Sequence, residues 1–281
     1  MQEFSYFSSE LRITRKDLIV IMVGLALQAG GVKGFSHIAT LKVFEECNVE
    51  PDIISGSSAG SIVGALYALH GSSEIVYKIF SETVRKFLKK QSTKPEPIMN
   101  LEMVIKEALY SLDEFYQFFK ELFGKKKFSE LKTKLLVVAF DIETWKSFVI
   151  DEGYLVDAVL ASCTVPGVFE PTYIAGVRML DGGILSPVPT FELKEYGADT
   201  IVASVFEERI PPYTTHMELM LTVDAVKESY IVQNELSVAD FTFIYPVNVS
   251  WSDFAKHEEV YRNALIVARR VKDEFENFIR R

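Results

Sequence analysis

The chain alternates short apolar runs with stretches in which apolar residues recur every three or four positions. Such alternation predicts strands buried on both faces, separated by amphipathic helices. Leu18 to Leu27 is an apolar run and predicts a first strand. It leads into a glycine-rich turn at 28–34. From Phe35 to Cys47 the apolar positions Ile38, Leu41, Val43, Phe44 and Cys47 predict a helix. Residues 52–55 predict a second strand, followed by a small-residue turn and a helix to Leu69 that His70-Gly71 closes with a glycine cap. Two successive βα units, each with a glycine-rich turn, predict a three-layer α/β/α sandwich around a mostly parallel sheet.

The rest of the pattern extends this plan. Residues 1–16 read as a polar lead-in. Ser72 to Lys90 continues as helix, and Lys94-Pro95-Glu96-Pro97 breaks it. Helical period returns over 98–123, where Leu112, Phe115, Tyr116, Phe119, Leu122 and Phe123 share one face. Together with the basic run Lys125-Lys126-Lys127, this forms a helical insertion over about 72–130, longer than a usual connection. It reads either as an amphipathic cap that touches lipid or as a core helix with a solvated basic end. The second is preferred, because apolar faces at helical spacing are usually core. Further strands are predicted at 135–140, 145–150, 201–206 and 241–246, and long helices at 216–237 and 252–280, the last two within a C-terminal helical region over about 215–281. No repeat and no second domain is evident, so residues 1–281 read as one domain.

Composition narrows the function without choosing it. A hydrophobic fraction of 48% supports a substantial core. A net charge of −9 argues against a chain built to coat nucleic acid. Cys47 and Cys163 are too few for a disulfide scaffold and read as buried small apolar residues. The 18–27 run is too short to cross a bilayer as a helix and lacks a signal-peptide context. A cytoplasmic protein with peripheral membrane contact is therefore expected.

Three turns carry the chemistry. Gly56-Ser57-Ser58-Ala59-Gly60 reads G-x-S-x-G between a strand and a helix, which presents Ser58 on a strained turn as a nucleophile. Gly30-Gly31-Val32-Lys33-Gly34 lets the backbone approach a ligand closely, with amide groups suited to an oxyanion or phosphate and Lys33 adding charge. Its spacing is neither a P-loop nor a dinucleotide motif. Asp181-Gly182-Gly183 supplies an acid followed by two glycines, and its bland reading is a hairpin turn. A serine nucleophile ordinarily has a histidine base. Of His37, His70, His216 and His257, only His257 comes late in the chain, in a polar stretch that reads as a solvated helix face. His37 reads as a packing or capping residue, so the base need not be histidine.

The three motifs in this order resemble the patatin-like phospholipase family, over about residues 18–205. The stretch Ala161 to Phe169 also resembles the family's segment before the acid. The resemblance implies a patatin-like fold, related to the catalytic domain of cytosolic phospholipase A2, and a Ser–Asp dyad without histidine or cofactor. Ser58 would be the nucleophile and Asp181 the base. Gly30, Gly31, Lys33, Gly34 and Ala59 would form the oxyanion and binding region, supported by Gly56, Gly60, Gly182 and Gly183. The chain departs from the pattern at Ala29, where the family often has a glycine, and at Ser186, where it often has asparagine. The function implied is a lipid acyl hydrolase of phospholipase A or lysophospholipase type. The partners implied are phospholipid, lysophospholipid or another acyl ester. The alternatives are a small-ester carboxylesterase or acyltransferase on the same dyad, and a catalytically silent lipid-binding protein.

Overall fold

The structure is a computed structural model and describes residues 21–92, 112–207, 210 and 213–280. Its strands are β1 (Val23–Leu27), β2 (Ile53–Ser57), β3 (Lys134–Asp141), β4 (Lys146–Ile150), β5 (Thr172–Ile174), β6 (Val177–Asp181), β7 (Thr200–Phe206) and β8 (Phe241–Tyr245). Its helices are α1 (His37–Glu46), α2 (Ala59–His70), α3 (Ser73–Gln91), α4 (Leu112–Phe123), α5 (Leu155–Ser162), α6 (Thr190–Glu195), α7 (His216–Leu236) and α8 (His257–Ile279). One sheet runs β5-β6-β3-β2-β1-β7-β8, with β4 also paired to β3. The block β3-β2-β1-β7-β8 is parallel, and β4, β5 and β6 join by antiparallel pairing.

Alternation along the strands divides the core between the two faces. Leu25 and Leu27 of β1 face the layer of α1 to α5 and α8, while Ala26 faces the layer of α6 and α7. On β3, Leu135, Val137 and Ala139 take the first side and Leu136 the second. This is the three-layer α/β/α sandwich expected from the sequence. α8 adds Val260, Ala264, Ala268 and Phe275 to the larger core from one helix face. Phe275 packs on Phe44 and Phe243, with ring centroids 4.8 and 5.1 Å apart.

Several boundaries differ from the sequence reading, for local reasons. The glycine-rich segment Gly31–Ser36 is a 3-10 turn, and α1 starts only at His37. The helices on either side of Gly71 are separate, because Gly71 turns left-handed at φ 68° and the Ser72 side chain caps α3. A 3-10 turn at Phe254–Lys256 precedes α8. The short elements β5, α5 and α6 have too few turns of periodicity to show in the sequence. Asp181-Gly182-Gly183 is not a hairpin: β6 ends at Asp181 and passes into a 3-10 turn at Gly182–Ile184.

In the described part of the insertion, α4 packs Phe118, Phe119, Leu122 and Phe123 into the core. Phe115 stacks on Phe169 with centroids 4.4 Å apart. The polar lead-in, the proline break and the predicted helical stretch before Leu112 lie outside the described residues.

β1 and α2 pack in close contact through Gly60, where a methyl group would collide with the Leu27 carbonyl oxygen. Gly60→Ala is therefore expected to cost roughly 1–3 kcal/mol through overpacking. A lowered midpoint in urea unfolding is the readout, and an unchanged midpoint would contradict this contact.

Candidate active site

Ser58 lies between the end of β2 and the start of α2 at φ 50° and ψ −119°, a conformation that a residue with a side chain rarely adopts. Three contacts hold it there. Its N–H donates to Ser162 Oγ at 2.8 Å, and the Ser162 hydroxyl donates onward to the Val138 carbonyl at 2.6 Å. Its carbonyl accepts from Ser61, both from the backbone N–H at 2.9 Å and from the hydroxyl at 2.6 Å. The strained turn is thus clamped to β3 through α5 and to the first turn of its own helix.

β3 also brings the acid to the serine. β2 pairs with β3 as far as Ser57 opposite Val138, and β6 pairs with Asp181 opposite Ala139. β4 occupies the other edge of β3 over Val137–Asp141, so β2 and β6 share one edge end to end. Ser57 and Asp181 are one position apart along that edge, a rise of about 3.4 Å. Gly182 fits there because it has no Cβ: one would meet the Val138 carbonyl oxygen, and Ser57 Oγ at 2.9 Å. The Asp181 backbone N–H donates to the Thr164 carbonyl at 2.9 Å. Its Oδ1 accepts from the Gly183 N–H at 2.8 Å. The Ser58 side chain favours the charged form of the same carboxyl. Asp181 is buried, and burial pushes its pKa up to about 6 against the opposing pull of Ser58 and Gly183.

The glycine loop follows β1, the strand beside β2, so the two turns meet at the same end of the sheet. Gly31 takes φ 58°, and a side chain there would meet the Trp251 carbonyl oxygen, which accepts the Val32 N–H at 2.8 Å. Gly34 presses on Ala59, where a Cβ would lie 2.7 Å from the Ala59 Cβ. Among the described residues, no hydrogen-bond acceptor takes the N–H groups of Gly30, Gly31 or Ala59. Ala29, in place of a glycine, donates its N–H to the Pro187 carbonyl at 2.9 Å. Lys33 is half-buried, which lowers its pKa, and sits 5.9 Å over the Phe206 ring. The Glu228 charge is felt by both Lys33 and Asp181.

The histidines lie elsewhere. His257 is a correction to the sequence reading, since it is buried rather than on a solvated face. Its Nε2 pairs with Ser81 Oγ at 3.0 Å and its Nδ1 with the Phe254 carbonyl at 2.8 Å. His37 is fully buried, as a packing residue would be. Its Nε2 meets the Gln28 carbonyl at 2.9 Å and its Nδ1 meets Ser204 Oγ at 2.8 Å. Burial lowers its pKa to about 4, so the ring is neutral at ordinary pH and supports the residue leading into the glycine loop. His70 ends α2 and His216 begins α7. Cys47 and Cys163 are both buried. The sequence reading missed Ser162, Thr164, Gln28 and Trp251 as supports of the site. Serine and threonine are too common for spacing alone to single them out.

The patatin-like phospholipase family model matches residues 25–194. The chain belongs to the patatin-like phospholipase family. The Lysophospholipase NTE1 of Meyerozyma guilliermondii is 25% identical over 275 residues, covering 88% of this chain and 19% of that protein. The human Patatin-like phospholipase domain-containing protein 6 is 29% identical over 201 residues, covering 71% of this chain and 14% of that protein. This patatin-like chain thus spans under a fifth of the length of these relatives. Among solved structures, VipD from Legionella pneumophila aligns with a TM-score of 0.49 at 14% identity, over 90% of this chain and 66% of VipD. The type III effector protein ExoU aligns at 0.45 and 14%, over 91% of this chain and 53% of ExoU. No helix among the described residues is long and apolar enough to cross a membrane.

The buried Asp181 charge has a cost that pH can expose. Its folded pKa of about 6 lies above the ordinary 3.8, so ionising it opposes folding. That cost is absent below pH 4, grows through the interval, and is complete above pH 6. Asp181→Asn keeps an acceptor for Gly183 and has nothing to ionise. It is expected to exceed the wild type in stability by up to roughly 3 kcal/mol at pH 8, and by nothing near pH 4. Denaturant unfolding at both pH values checks the sign.

Proposed function

We propose that this chain is a lipid acyl hydrolase that cleaves the carboxylic ester of lysophospholipids through an acyl-Ser58 intermediate. The observation that carries the reading is the pairing of a strained, clamped serine with a buried carboxyl, while the four histidines are bonded or placed elsewhere. Asp181 accepts the Ser58 proton as Oγ attacks the ester carbonyl carbon. The amides of Gly30, Gly31 and Ala59 then stabilise the negative charge on the carbonyl oxygen. The first two come from the glycine loop and the third from the start of α2, whose dipole adds to the effect. The proton on Asp181 passes to the leaving alcohol. A water deprotonated by Asp181 then attacks the acyl-serine, releasing fatty acid and regenerating Ser58.

A carboxylate is a weak base toward a hydroxyl, and burial compensates in part. A pKa near 6 leaves Asp181 ionised at neutral pH yet more basic than a solvated aspartate. Lysophospholipid is preferred as substrate because the relatives that match most of this chain are named lysophospholipases. The family name supports an ester of a lipid more broadly.

Purified protein incubated with mixed phospholipids and lysophospholipids is expected to release fatty acid from the latter. Ser58→Ala and Asp181→Asn should each lower turnover by more than roughly 10³-fold without unfolding the protein. A serine-reactive phosphonate should label Ser58 in the folded wild type. His257→Ala should retain the chemistry, and a loss confined to that variant would restore a histidine base. Transfer to an added acceptor alcohol in place of hydrolysis would favour an acyltransferase. The base must be ionised, so kcat/KM is expected to rise with pH through about 6 and then level. A profile that stays flat down to pH 4 would exclude Asp181 as the base.

A further inference from the structure

The loop that leaves Asp181 is held by a carboxyl group that the three motifs do not include. Glu235, in the last turn of α7, is 2% exposed. Its Oε1 accepts the Ser186 hydroxyl at 2.7 Å and its Oε2 accepts the Val188 N–H at 2.7 Å. Its backbone carbonyl accepts the Thr190 hydroxyl at 2.6 Å. All three donors lie on the segment that follows Asp181. The opposite side of that segment is tied to β2, with Ser57 Oγ donating to the Ser186 carbonyl at 2.5 Å and Ser55 Oγ to the Pro189 carbonyl at 2.6 Å. The Pro187 carbonyl, between the two Glu235 contacts, accepts the Ala29 N–H ahead of the glycine loop.

From these contacts we infer that Glu235 is a positioning residue. Its two side-chain oxygens clamp the segment 186–188, which fixes Asp181 toward Ser58 at one end and braces the strand end leading to Gly30 and Gly31 at the other. The inference rests on the proposed Ser58–Asp181 chemistry for its effect on rate, but not for its effect on the loop. Buried acceptors of this kind favour one geometry, because releasing them would leave the Val188 N–H and the Ser186 hydroxyl unpaired away from water. Burial also pushes Glu235 up to about 8, with Glu192 and Glu228 as the neighbouring negative charges. A glutamine is therefore a close stand-in: its oxygen can take the Val188 N–H while its NH2 donates to a reoriented Ser186 hydroxyl.

The test compares Glu235→Ala, Glu235→Gln and Ser186→Ala by steady-state kinetics on a lysophospholipid and by hydrogen exchange of the segment 182–190. Glu235→Ala is expected to lower kcat about 10- to 100-fold with KM changed less than about threefold, and to lose protection at Val188. Glu235→Gln should stay within about threefold of wild type in kcat and keep the protection. Ser186→Ala, which removes one clamp bond and no charge, should lower kcat several-fold. A folded Glu235→Ala protein with wild-type kcat and protection would overturn the inference, as would Glu235→Gln failing as badly as alanine. Should Glu235→Ala not fold, unchanged kcat and unchanged exchange in Ser186→Ala would overturn it equally. If the wild type hydrolyses no acyl ester, the proposed function fails, while the exchange measurement still tests the clamp.

Discussion

One edge of β3 organises this molecule. A strand offers each edge to one partner at a time, yet here two partners occupy the same edge in sequence, β2 and then β6. β2 stops at Ser57, which frees the next position for Asp181. The chain after β2 must therefore turn away sharply, and the left-handed Ser58 is that turn. The same strand supplies the Val138 carbonyl that anchors Ser162 and, through it, the Ser58 N–H. Ser58, Asp181 and the clamp on the strained turn all take their positions from a few consecutive residues of β3.

Around that edge the supports are small hydroxyl groups rather than ion pairs. Ser55, Ser57, Ser162 and Ser61 each donate to a backbone carbonyl within 2.6 Å. Short bonds to buried carbonyls give direction without bringing charge into the interior. The ion pairs, by contrast, sit outside, for example Arg85 with Glu258 and Lys272 with Glu46. Exposed pairs of this kind contribute little to stability. Two buried carboxyl groups, Asp181 and Glu235, carry raised pKa values because burial opposes ionisation.

Much of this was legible in the residues. The glycine-rich turns and G-x-S-x-G report backbone requirements that are local, so Gly31, Gly34, Gly60 and Ser58 could be read from spacing. The strand and helix plan followed from periodicity, which a core imposes on every element that touches it. His257 was misread because its partners Ser81 and Phe35 are distant in the chain, and its polar neighbours in sequence face elsewhere. Ser186 read only as a departure from a pattern, although its hydroxyl is engaged by Glu235. Glu235 has no motif around it, since its partners Ser186, Val188 and Thr190 lie some 45 residues or more earlier in the chain.

By itself, the sequence determined which turns could approach a ligand and which hydroxyl was strained, since those depend on residues a few positions apart. It also supplied the alternating apolar pattern from which the layers follow. Only the tertiary structure decided that the β3 edge brings Asp181 up to Ser58, that His37 and His257 are engaged elsewhere, and that α7 brings a buried carboxyl to the loop after Asp181. Each of these depends on the register of strands far apart in the chain, and register is set by which apolar faces bury together, a property of the assembled sheet rather than of any one segment.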